Sequence, residues 1–289
     1  VYLTGSNAYM LSGELATLLS GRYVKIEMLP LSFFEFVKAS GRADYLDEEY
    51  QDYLVTSSFP YALNLNKDKR QIKEYLTGIY DSILVKDVIA RRKISDVMML
   101  ESVIRFLMDN IGSQLSTKKI SDTMTSGGRS INVRTVESYV SALMDSYIVY
   151  QAKRYDIRGR QYLKTLEKYY IVDIGLRNVL LGNPGKDIGH VLENIVYLEL
   201  IRRGYDVYIG KVDDIVVDFV VKDENGTKYI QVAASVRDET TLARELRPLQ
   251  KINDHYPKII MTLDKDPIAD YEGIRRINAL DYLAHKIEI

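Results

Sequence analysis

The spacing of apolar residues changes twice along this 289-residue chain, and each change limits the architectures open to it. Between residues 47 and 146 apolar side chains recur every three or four positions. Ile72, Leu76, Ile79 and Ile83 form one such row, and Val136, Tyr139, Val140, Leu143 and Met144 another; both predict helices with one buried face. From Tyr147 the pattern turns to β-branched and aromatic runs, at 147–152 and 168–172, which read as strands. A helix over 187–203, stopped by Gly204, then precedes strands at 205–209, 215–221 and 228–233. Asp223-Glu224-Asn225-Gly226 is the hairpin signal between the last two. A charged helix over 239–255, a buried-type strand at 258–263 and a final αβ segment complete the chain. The order predicts a multidomain protein that mixes α/β and α+β parts.

The middle of the chain has a more specific order. Helices are expected at 97–111, 116–124 and 133–146, followed by the two strands with a charged stretch, 153–168, between them. Three helices and a two-stranded ribbon make a winged helix-turn-helix. Nearer the amino end, a strand at 1–4 leads into a helix over 7–19 and a strand at 24–28. Ser32 then opens a helix with Glu35 three residues on, a capping box that satisfies two orphan backbone N–H groups.

Composition excludes several classes. Apolar residues make up 46% and charged residues 27%, the balance of a globular protein. Basic and acidic side chains number 39 and 40, so a nucleic-acid surface would have to be local rather than global. The absence of cysteine removes disulfides and thiolate metal sites, and fits a cytoplasmic chain. Three scattered histidines, His190, His255 and His285, make no histidine-rich metal site. No apolar run is long enough to span a bilayer. Twenty-three tyrosines without a tryptophan read as a compositional habit rather than a stacking surface.

Three segments near the start, Tyr2-Leu3-Thr4-Gly5-Ser6-Asn7-Ala8, Leu18-Leu19-Ser20-Gly21-Arg22-Tyr23 and Leu29-Pro30-Leu31-Ser32-Phe33-Phe34-Glu35-Phe36, resemble the second half of a prokaryotic AAA-type ATPase domain. Tyr169 through Arg177, Gly189 through Gly204 and Tyr229-Ile230-Gln231-Val232 resemble the restriction-endonuclease-like domain that follows a winged helix in that family. The resemblance implies three parts: a carboxyl-terminal fragment of the ATPase domain with its helical lid (1–92), a winged helix (93–168) and an inactive nuclease-like domain (169–289). It implies that Asn7 is the polar sensor that orients water at the terminal phosphate. Arg22 would neutralise charge developing there, in cis or across the interface of a homo-oligomer. ATP and magnesium are the cofactors implied for the intact protein. The G-x-x-x-x-G-K-[ST] phosphate loop and the acidic magnesium-holding strand do not occur in these residues, so they are expected upstream of Val1. The chain by itself is expected to bind no cofactor.

Nuclease domains of this type hold a divalent metal between carboxylates on a helix and a strand, with a lysine that helps position the attacking water. By the resemblance these positions are Glu193, Asp218 and Gln231, with Ala233 where the lysine belongs. A neutral amide is a poorer magnesium ligand than a carboxylate, so no metal and no nuclease activity are expected. In the winged helix Arg134 sits near the start of the recognition helix, and Lys153, Arg154, Arg158 and Arg160 lie along the wing, where they could follow a phosphate backbone. Glu137 and Asp145 on the same helix oppose that, so contact with DNA and contact with a protein partner stand level. A non-enzymatic binding module, and a metal nuclease with relocated catalytic groups, are the alternatives to an ATP-driven protein.

Overall fold

The computed structural model describes residues 5, 22, 24, 26–182, 187–267 and 269–289, with the backbone only at 85–87, 91, 164 and 165. Its helical first part contains α1 (Phe33–Ser40), α2 (Leu46–Thr56), a 3₁₀ segment (Pro60–Leu65) and α3 (Lys69–Ser82). The capping box forms as expected: Glu35 N donates to Ser32 Oγ at 3.1 Å, and Ser32 N donates to the Glu35 carboxylate at 2.8 Å. Phe33, Phe36 and Val37 bury the opposite side of α1. The strand expected at 24–28 is not there. Val24 and residues 26–28 are irregular, and Val24, Ile26 and Met28 are exposed. A pleated run needs a neighbour for its backbone N–H and C=O groups, and no described strand lies beside this one.

Three helices follow, α4 (Val97–Asp109), α5 (Thr117–Ser126) and α6 (Val133–Asp145), with the two-residue strand β1 (Gln114–Leu115) after the first. Each helix is capped at its N-terminus by a side chain, from Asp96, Ser116 and Asn132 respectively. The ribbon is longer than the apolar runs suggested. β2 spans Val149–Asp156 and β3 spans Gln161–Ile171, so the charged stretch expected to be a connection lies mostly within the two strands. β3 passes without a break through residues 168 and 169.

The rest of the chain comprises α7 (Ile174–Leu181), α8 (Ile188–Arg202), β4 (Asp206–Val212), β5 (Ile215–Asp223), β6 (Gly226–Val232), α9 (Glu239–Gln250), β7 (Lys258–Thr262), β8 (Ala269–Tyr271), β9 (Ile274–Asn278) and α10 (Ala279–Leu283). The described strands make one sheet, ordered β1-β3-β2-β4-β5-β6-β7-β9-β8. Its β2/β4, β6/β7 and β7/β9 joints are parallel and the others antiparallel. One face packs under α8 in the larger core, and the other face, around Val217, Val220 and Ile260, under α9.

The segment between β3 and α7 ties the helical first part to the sheet. Asp173 caps α7 through Leu176 N at 2.6 Å, while its other oxygen accepts from both the backbone N and the Oγ of Ser58, each at 2.6 Å. A Cβ on Gly175 would stand 2.9 Å from Ser57 Cα, so only glycine allows this approach. Arg177, fully buried, donates to Met108 O and Asp187, and Asn178 donates to Leu54 O. The Tyr169–Arg177 segment, singled out above by resemblance, is therefore a joint as well as a strand end.

Candidate functional site

β3, β5 and α8 bring three charged side chains to one buried point. β3 alternates faces, so Lys168 and Tyr170 share one side. Lys168 Nζ donates to Glu193 Oε1 at 2.7 Å and to Asp218 Oδ1 at 2.8 Å. The three side chains are 6%, 5% and 11% exposed, so water cannot screen the pairs. Tyr170 adds a hydrogen bond to Glu193 Oε1 at 2.6 Å and stacks on Tyr197 with ring centres 4.2 Å apart. The second Asp218 oxygen accepts from Val232 N at 3.0 Å. Gln231 accepts from Asp218 N at 3.2 Å and donates to Glu245 at 2.9 Å.

Glu193, Asp218 and Gln231 thus lie together, on α8 and on the adjacent strands β5 and β6. Val191, Leu192 and Ile195 of α8 are buried, whereas Ile188 at its first turn is 55% exposed. Ala233 is buried against the α9 side of the sheet. The cation that its position lacks comes from a different strand: Lys168, at the end of the charged stretch 153–168, turns inward to the carboxylates. Sequence reading could have found it from period two, since Lys168, Tyr170 and Val172 fall on one side of the run 168–172, which is otherwise apolar. Asn194, the neighbour of Glu193, was also missed. Its side chain bonds both Ile171 N and Ile171 O at 2.8 Å, fixing α8 against β3.

The charges do not balance. One ammonium faces two carboxylates, and burial of the surplus negative charge pushes Glu193 up to about 7, with Asp218 adding to the rise and Lys168 opposing it. Burial also works against the Lys168 ammonium, but Asp218 and Glu193 outweigh it and hold the lysine protonated. His190, one turn before Glu193, is lowered by burial and by Lys168. Between about 4.5 and about 7 the folded protein therefore binds more protons at Glu193 than the unfolded chain does. The resulting stability is complete at the acid end and is lost as pH rises through about 7. Its full size is about 3 kcal/mol, of which about 2 kcal/mol is still present at pH 5.5 and lost by pH 8. Urea unfolding of the parent and of Glu193→Gln at pH 5.5 and pH 8 should show the parent losing this increment relative to the variant. Parallel pH profiles would place the Glu193 proton elsewhere.

A metal fits this site poorly. The space between the two carboxylates is taken by an ammonium, the third position is an amide, and no group of three or more metal-ligating side chains occurs among the described residues.

The other expected residues lie apart from the cluster. Asn7 falls outside the described residues, and Arg22 is exposed in irregular chain. Arg134 is exposed in the first turn of α6, Lys153 is exposed on β2, and Arg160 is exposed at the tip of the ribbon. Arg158 pairs with Asp213. Arg154 is buried, because β4 pairs with β2 at that position, and is not presented to a phosphate backbone in this conformation. Among the described residues no helix is long and apolar enough to cross a membrane.

Residues 47–187 match a family described as a domain of unknown function (DUF8612), and residues 1–37 match an AAA domain. An uncharacterised protein of Haemophilus influenzae is 41% identical over 286 residues, which cover 98% of this chain and 70% of that protein. An uncharacterised protein of Methanocaldococcus jannaschii is 29% identical over 310 aligned positions, covering 100% of this chain and 67% of that protein. No solved structure matches the chain.

Proposed function

The chain belongs to the family of that uncharacterised Haemophilus influenzae protein, and we propose that its members are cytoplasmic AAA-type proteins in which ATP turnover works on a binding module, not on a nuclease. The parts are an ATPase portion with a helical lid (1–92), a winged helix (93–168) and a nuclease-like domain without nuclease activity (169–289). ATP and magnesium are its cofactors. Asn7 positions the attacking water, and Arg22 neutralises the developing charge in cis or across a homo-oligomer interface.

The observation that carries this reading is where the AAA match ends. It stops at residue 37, inside α1, and α1 is joined directly to the helix that bears Glu193. Arg202, at the end of α8, donates to Pro30 O at 2.5 Å and lies 3.7 Å from Glu35. Phe34 stacks on His285 with ring centres 4.4 Å apart, and His285 in turn meets Glu199 of α8 at 2.9 Å. A displacement of α1 during turnover would therefore be passed to α8 and the sheet. The exposed cations Arg134, Lys153 and Arg160 favour DNA as the partner of the moving part, with a protein ligand as the alternative.

One assay separates these claims. In a protein of the relatives' full length, Arg22→Ala or Asn7→Ala should lower ATP turnover about tenfold or more, with ATP affinity nearly unchanged. Unaltered turnover would remove both residues from the reaction. Duplex DNA should raise parental turnover, and Lys153→Ala with Arg160→Ala should abolish only that increase, in a salt-dependent way. Turnover indifferent to DNA would turn the ribbon towards a protein.

A further inference from the structure

The cluster of Lys168, Glu193 and Asp218 lets one more property be derived, and it does not depend on the ATP reading. We infer that the Lys168 ammonium is a stand-in for a divalent cation, so that the protein carries a two-carboxylate cation site kept filled by its own side chain.

The geometry is that of a cation between ligands. One carboxylate oxygen from α8 and one from β5 converge on a single nitrogen, at 2.7 and 2.8 Å. Calcium takes carboxylate oxygens at about 2.3–2.6 Å, so each side chain would need to move by only a few tenths of an ångström to hold a metal instead. The remaining Asp218 oxygen is held by Val232 N, which fixes its carboxylate plane whatever cation is present. The surroundings leave little slack on the Glu193 side. Gly112, in a left-handed turn at φ 69°, approaches so closely that a Cβ there would stand 3.1 Å from Glu193 Oε2.

Charge points the same way. A divalent cation would balance both carboxylates, whereas a single ammonium leaves one negative charge over. Lysine is nevertheless the more permanent occupant, since it cannot dissociate and needs no metal supply. A metal that arrived from solution would have to displace a tethered cation.

Manganese(II) is a suitable probe, because its binding can be read by water-proton relaxation as well as by thermal unfolding. The parent protein should show no specific manganese site, and its melting temperature should be unmoved by millimolar manganese. Lys168→Ala should melt lower than the parent and then regain about 3 °C or more on addition of manganese. Lys168→Ala with Asp218→Asn should gain nothing. If Lys168→Ala does not fold, Lys168→Gln, which keeps an uncharged hydrogen-bond donor, replaces it in the same measurements. Two results would overturn the inference. One is a manganese site in the parent that Asp218→Asn removes, which would make the lysine a companion of the metal. The other is a folded lysine variant that manganese neither binds nor stabilises.

Discussion

Replacing Lys168 by methionine should destabilise the protein by about 3–5 kcal/mol, the largest effect expected of any single exchange on the sheet side of the molecule. The methionine fills nearly the same volume, so the loss comes from charge and not from a cavity. Glu193 and Asp218 would remain at 5% and 11% exposure with no ammonium to face. The loss should shrink at pH 5.5, where Glu193 takes up a proton instead. Neutralising the whole cluster, with Lys168→Met, Glu193→Gln and Asp218→Asn together, should recover most of the stability, because buried ion pairs are costly to break but not costly to replace as a set. Equilibrium urea unfolding of the three proteins checks this. If Lys168→Met matched the parent, the ion pairs would contribute nothing.

The second large effect is expected at the joint. Asp173→Ala removes three hydrogen bonds to a carboxylate, leaves the Ser58 N–H and hydroxyl buried without an acceptor, and uncaps α7. Hydrogen bonds to charged groups contribute about 1.5–3 kcal/mol each but are not additive here, so a loss of about 3–4 kcal/mol is expected. It should be local before it is global. Amide exchange should accelerate across α2, the 3₁₀ segment and α3, while α8 and the central strands keep their protection. Uniform acceleration over the whole chain would mean that the helical part and the sheet do not separate at this joint.

Much of the fold is legible in the residues, and the exceptions share a cause. The helices α4, α5 and α6 stand close to where the three- and four-residue spacing puts them, and the Ser32/Glu35 capping box is a purely local signal. Charge was the misleading feature. Lys153, Arg154, Arg158, Arg160 and Lys168 look alike in sequence, yet Arg154 and Lys168 are buried and the other three exposed. What separates them is pairing between elements far apart in the chain: β4 closing on β2 at Arg154, and β5 and α8 supplying counter-charges to Lys168. Asn194 was hidden for the same reason, since its partner is the backbone of Ile171. The group Glu193, Asp218 and Gln231 could be named only through family resemblance, because no local spacing links positions on three elements.

The ionic cluster also works as an index mark for the sheet. Side chains on a strand change sides with each residue, so a slip of β3 by one position would withdraw Lys168 and Tyr170 and turn Glu167 or Tyr169 towards Glu193 and Asp218. A third carboxylate there would repel the other two, and the paired hydrogen bonds of Asn194 to Ile171 would be lost at the same time. The ribbon is thereby read at two checkpoints, one of charge and one of backbone, and a misaligned hairpin fails both.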